Sequence, residues 1–242
     1  MDATCWALGC CAALMVGFSK TGVPGLGILI VPIMAGIFPA KLSVGALLPM
    51  LIVGDVFAVA WYRRRAQWDK LLRLLPYVFL GMIPGTIVLW KIDEKALKPL
   101  LGGLVLALLA VQLVRWRFKW TRMPRGIWFT AAAGIMAGFA TTVGNVAGPI
   151  MGIYLISAGL SKDEFIGTGA WYYLTVNTCK VPIFSCLGII TAETLGFDAA
   201  VAPAIVIGAL VGRFALPSIP VKTFNAAILI LAAIGALRLI LL

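Results

Sequence analysis

Two short stretches hold polar residues that their apolar surroundings have no ordinary use for. The first is Ser19-Lys20-Thr21-Gly22-Val23-Pro24-Gly25, and the second is Thr141-Thr142-Val143-Gly144-Asn145-Val146-Ala147-Gly148, just ahead of Pro149. Hydroxyls and the Asn145 amide donate hydrogen bonds, glycines let backbone approach a ligand, and Lys20 supplies a point charge. These residue types suit a small oxyanion. The candidate binding set is Ser19, Lys20, Thr21, Gly22, Gly25, Thr141, Thr142, Gly144 and Asn145. Three more polar residues interrupt apolar runs: Asp55 in LIVGDVFAVAW, and Asn177 and Lys180 in TVNTCKVPIF. Ionisable groups within a membrane are functional candidates by default. Lys180 would add charge to an anion path, and Asp55 would pair with a lysine or carry a proton. The competing accounts are structural: a mutual pair for these three, snorkelling for Lys20, and capping of freed carbonyls for the threonines.

Other chemistry is poorly provided for. The chain contains no histidine, which removes most hydrolytic schemes, and no Ser–His–Asp set, carboxylate pair or His/Cys metal cluster is present. No enzymatic reaction, metal or cofactor is therefore expected. GVPGLG matches a weak nucleotide fingerprint, but no strand–helix unit surrounds it. Cys5, Cys10, Cys11, Cys179 and Cys186 lie in apolar surroundings without C-x-x-C spacing and read as packing residues.

The elements that must position the polar stretches are membrane helices. Of 242 residues, 62% are hydrophobic and 12% charged, with a mean hydropathy of +1.05. A soluble surface cannot be built from that composition, and apolar runs of about 18 or more residues mark membrane spans. The fold class is all-α and polytopic. The N-terminus lacks a basic leader region and carries Asp2, so it reads as a retained segment rather than a signal peptide. Apolar helices are predicted near 4–18, 25–38, 40–62, 71–90, 96–115, 126–140, 149–160, 165–187, 197–214 and 222–241. Four of these (4–18, 25–38, 126–140 and 149–160) are short, and they form two adjacent pairs, each split by one of the polar stretches.

The pairing repeats along the chain. Gly17-Phe18 aligns with Gly138-Phe139, Gly81/Gly85 with Gly208/Gly212, and Lys95 with Lys222. Two copies of one unit, 1–115 and 126–242, joined by a basic linker at 116–125, account for the pattern. The net charge of +11 comes largely from two loops holding Arg63, Arg64, Arg65, Lys70 and Arg73, and Arg115, Arg117, Lys119, Arg122 and Arg125. Such loops stay cytoplasmic, so the charge reports orientation and not a nucleic-acid partner. In the second copy the bias is reversed: ITAETLGFDAA lacks Lys and Arg, whereas RFALPSIPVK carries them. That reversal is expected of inverted repeats, each with a broken-helix hairpin plus three spans. The alternative makes each broken pair one kinked helix, giving eight spans in parallel repeats. Broken helices at membrane depth are tolerated where they line a cavity, and their helix starts can hold an anion.

Gly17-Phe18, Gly22, Gly25, Gly27, Pro32, Pro39-Ala40-Lys41 and Val44-Gly45 resemble the opening of the sulfite exporter TauE/SafE family. YRRRAQWDKLL, GMIPG, Gly138-Phe139 and Gly167-Thr168 continue the resemblance along nearly the whole chain. It departs where the family shows a glycine run, here Pro24-Gly25-Leu26-Gly27, and where Thr-Ser follows Val-Gly, here Ala46-Leu47-Leu48. The resemblance implies a transporter of the cytoplasmic (inner) membrane that exports sulfite or an organosulfonate such as sulfoacetate. Expected partners are that small anionic substrate and the lipid bilayer, with a homodimer as one use of GMIPG and GALVG. A small-carboxylate permease, for lactate as an example, and a channel or scaffold without saturable flux are the rival functions.

Overall fold

A computed structural model describes residues 2–22, 27–118, 126–215 and 221–241. Ten α-helices follow one another without a strand among the described residues: α1 (Ala3–Thr21), α2 (Gly27–Ile37), α3 (Ala40–Tyr62), α4 (Trp68–Lys91), α5 (Glu94–Phe118), α6 (Ile127–Gly144), α7 (Gly148–Ser157), α8 (Lys162–Cys186), α9 (Ala192–Ala215) and α10 (Val221–Leu241). Six helices are long and apolar enough to cross a membrane, and the protein is polytopic. All ten predicted helices are present. Two differ in length in a way that matters. The first arms, α1 and α6, run to 19 and 18 residues, about 27 Å or more at 1.5 Å per residue; they are not the short helices the composition suggests. Only α2 and α7 are short, at 11 and 10 residues.

The hydroxyls that looked like helix breakers extend the first arms. Ser19 donates to the Val16 carbonyl (3.2 Å), Thr21 to Gly17 (3.2 Å) and Thr142 to Gly138 (2.8 Å). Ser19 and Thr142 are thus satisfied without leaving the helix, whereas Thr21 shares its one proton with the Ala209 carbonyl of α9 at 2.7 Å.

Glycines set the helix partners, and they do so across the two halves. A Cβ on Gly17 would overlap the Ile205 carbonyl of α9, and one on Gly208 the Leu14 carbonyl of α1. In the same way, Gly138 presses on Val78 of α4 and Gly81 on Ile135 of α6. Contacts advance together along both members of each pair, so α1 runs parallel to α9 and α6 parallel to α4. By contrast, Gly45 of α3 meets Ile189 just beyond α8, and Gly167 of α8 meets Tyr62, so α3 and α8 cross antiparallel. GMIPG and GALVG are therefore occupied within one chain: Gly85 faces Thr142, and Gly212 faces Phe18 and Thr21.

The two ends of the bundle differ in chemistry. At one end the turn Arg63–Arg65 follows α3, the Gln67 backbone N–H donates to the Thr168 hydroxyl (2.9 Å), and Arg213 lies over Trp61 at 4.9 Å. At the opposite end Glu94 caps the start of α3 through the Ala40 and Lys41 amides, and Asp93 caps α5 at Ala96 (2.7 Å). The acidic residues of KIDEK thus satisfy helix starts. The chain leaves the acid-capped end along α1, packs α2 back against α1, and re-enters that end at Ala40.

Candidate functional site

Lys20 lies in the last turn of α1. Gly54 of α3 gives its stem room: a Cβ there would sit 3.0 Å from Lys20 Cγ. The ammonium reaches Asp55 Oδ1 at 2.7 Å and lies 4.1 Å above the Tyr173 ring. Asp55 is wholly buried, and its Oδ2 accepts a hydrogen bond from Asn177 Nδ2 at 2.7 Å. Asp55 and Asn177 lie ten residues after Gly45 and Gly167 respectively, and they meet where α3 crosses α8. The Lys20 ammonium is thus the partner of Asp55 Oδ1, a charge-assisted contact.

Lys180 serves the other tip. It is also fully buried, and its ammonium donates to the Thr141 carbonyl (3.0 Å), the Thr141 hydroxyl (3.1 Å) and Asn145 Oδ1 (2.5 Å). Asn145 ends α6 in left-handed backbone, φ 58°, a conformation Asn tolerates better than most residues. Its Nδ2 donates to the Val44 carbonyl of α3 at 3.0 Å.

Two small cavities, of about 50 and 60 Å³, share Ser19, Lys20, Gly148 and Tyr173. One extends past Asp55 to Met151, Leu155 and Phe165; the other passes Gly27, Leu51 and Asn145. The starts of α2 and α7 both face this space. Each cavity holds a few waters, the scale of a small oxyanion.

The candidate residues thus divide. Ser19, Lys20, Asp55 and Asn145 line the cavities, and Asn177 and Lys180 stand behind them, bonded to Asp55 and Asn145. Thr21 and Thr142 face helix packing instead: Thr21 donates to the Ala209 carbonyl of α9 (2.7 Å), and Thr142 sits under Gly85 of α4. Gly22 packs on Gly212, Gly144 on Leu101, and Gly25 lies outside the described residues. Thr21→Val is expected to lower stability by about 1 kcal/mol, with Thr21→Ser near wild type and anion affinity unchanged in both; thermal melts with and without anion measure this. Tyr173 is the residue that inspection of polar side chains passes over. Its signal is periodic: Tyr173, Asn177 and Lys180 recur at i, i+4 and i+7, one face of α8.

Residues 9–239 match the family model described as Sulfite exporter TauE/SafE. Neither the curated proteins nor the solved structures yielded a match.

Proposed function

Because this chain belongs to the sulfite exporter TauE/SafE family, whose members move sulfur-containing anions such as sulfite across membranes, we propose that it exports sulfite or a small organosulfonate through the space around Lys20. The anion takes the place of Asp55 on the Lys20 ammonium. The first-turn amides of α2 and α7 supply further donors, and both helix dipoles point their positive ends at it. Asp55 keeps Asn177 as its partner and is the site at which a proton accompanies the anion. The single observation behind this reading is the Lys20–Asp55 contact: a cation, 10% exposed, paired at 2.7 Å with a fully buried carboxylate in a cavity faced by two helix starts.

Two inverted repeats, 1–115 and 126–242, are the architecture we assign to the cycle. The parallel α1–α9 and α4–α6 pairs, the antiparallel α3–α8 crossing and the opposite placement of Arg213 and KIDEK all support it, since these are the relations an in-plane two-fold axis generates. The basic end faces the cytoplasm of the inner membrane under the positive-inside rule. Movement of the α1–α9 and α4–α6 pairs relative to the α3–α8 crossing would open the two cavities in turn.

Melting temperature of the purified protein with sulfite, sulfoacetate, thiosulfate, lactate, sulfate and chloride tests the ligand. An anion present at about 100 times its Kd stabilises the fold by roughly 2.7 kcal/mol. Stabilisation by sulfite or sulfoacetate is expected. Stabilisation by lactate alone would overturn the substrate, and no shift with any sulfur anion would count against the site.

A further inference from the structure

Lys180 is placed to do something other than bind the transported anion. Its ammonium sits at the C-terminal end of α6, where the helix dipole is negative and the Thr141 carbonyl, which already accepts the Asn145 N–H at 3.0 Å, has a second lone pair to offer. The Thr141 carbonyl, the Thr141 hydroxyl and Asn145 Oδ1 surround it at 3.0, 3.1 and 2.5 Å. An ammonium has three N–H donors, and these three oxygens take them all. Nothing remains for a ligand, and the side chain is 0% exposed. Asn145 is itself fixed, since its Nδ2 is engaged by Val44 of α3.

A main-chain carbonyl, a hydroxyl and an amide oxygen at the C-terminal end of a broken helix form the type of oxygen set that coordinates Na⁺ in transporters. We propose that Lys180 is a tethered cation: its ammonium occupies the seat of an inorganic coupling cation, locks the α6 tip to α3 and α8, and makes the protein independent of Na⁺. Among the described residues the first half has no such device. In the register that aligns Asp55 with Asn177, Ala58 stands where the second half has Lys180, and the α1 tip carries Lys20 instead. One tip therefore has a cation whose donors are all taken, and the other a cation whose partner an anion can replace.

The test compares NaCl with choline chloride at equal ionic strength, using the full-length protein. Wild type should melt at the same temperature in both salts and, in proteoliposomes, carry sulfite equally well. Lys180→Met, which fills the space without charge, should melt about 5 °C or more lower in either salt. Lys180→Ala should also melt lower and be restored, saturably, by Na⁺ or methylammonium but not by choline. Sodium-dependent melting or flux in wild type would overturn the proposal. So would a Met variant as stable as wild type, or an Ala variant that no small cation restores. If Lys180→Ala yields no folded protein, the Met variant and the wild-type salt comparison decide. The flux comparison rests on the transport reading above and the melting comparison does not, so the two failures are distinguishable.

Discussion

Asp55→Ala is expected to lose about 3–5 kcal/mol of folding stability, because it leaves the Lys20 ammonium in a low-dielectric interior without its counter-charge. The geometry makes the loss large. Lys20 has Asp55 Oδ1 at 2.7 Å and the Tyr173 ring as its neighbours, and a ring face compensates a cation only in part. Asn177 loses its acceptor in the same step, adding an unsatisfied buried amide. Replacing both charges, as in Lys20→Met with Asp55→Leu, should recover most of the stability, since a buried ion pair exchanged for apolar residues of similar volume is often near neutral. The two variants then part on function. The double variant folds but has no cation for the anion, so flux and anion-dependent stabilisation both vanish. Denaturation of Asp55→Ala, the double variant and wild type side by side measures this. An Asp55→Ala protein as stable as wild type would mean that Lys20 does not depend on its carboxylate.

Gly17→Ala and Gly138→Ala form the second large prediction, and they should behave alike. In each case the new methyl overlaps a backbone carbonyl, of Ile205 or of Val78. Backbone cannot rotate away as a side chain can, so α1 must separate from α9, or α6 from α4. Overpacking of this kind costs about 1–3 kcal/mol and sometimes more, and larger residues should abolish folded protein. Gly27→Ala is the control, since a Cβ there meets nothing within 4 Å. Folded yield and melting temperature read out all three. Equal tolerance at Gly17 and Gly27 would contradict the parallel α1–α9 contact.

How much of this could be read beforehand depends on the range of the interaction. Helix existence is written locally in hydropathy, and α3 falls at 40–62 as the apolar run predicts. The extents of α1 and α6 are not, because Ser19, Thr21 and Thr142 belong to a residue class that usually interrupts helices. Their hydroxyls instead bond back onto the same helix, a choice that depends on the tight α9 and α4 neighbours. Sequence marks Gly81/Gly85 and Gly208/Gly212 as sites of close approach but does not say that each meets the opposite half. The polar residues were individually legible as intramembrane candidates. Their pairing was not: Asp55 had two lysines to choose from, and the structure gives it Lys20 while Lys180 caps α6. Tyr173 escaped because a tyrosine in an apolar helix ordinarily packs, and only its spacing to Asn177 and Lys180 sets it apart.

Lys20 is the residue proposed to hold the transported sulfur anion. The most direct measurement is concentration-dependent flux of labelled sulfite in proteoliposomes, for wild type and for the folded Lys20→Met, Asp55→Leu double variant. Wild type should show saturable flux that unlabelled sulfite competes away. Loss of one charge-assisted contact worth about 1.5–3 kcal/mol weakens binding roughly 10- to 150-fold, so the double variant should show no saturable component in the same range. Saturable sulfite flux of wild-type affinity in the double variant would place the substrate elsewhere and contradict the account.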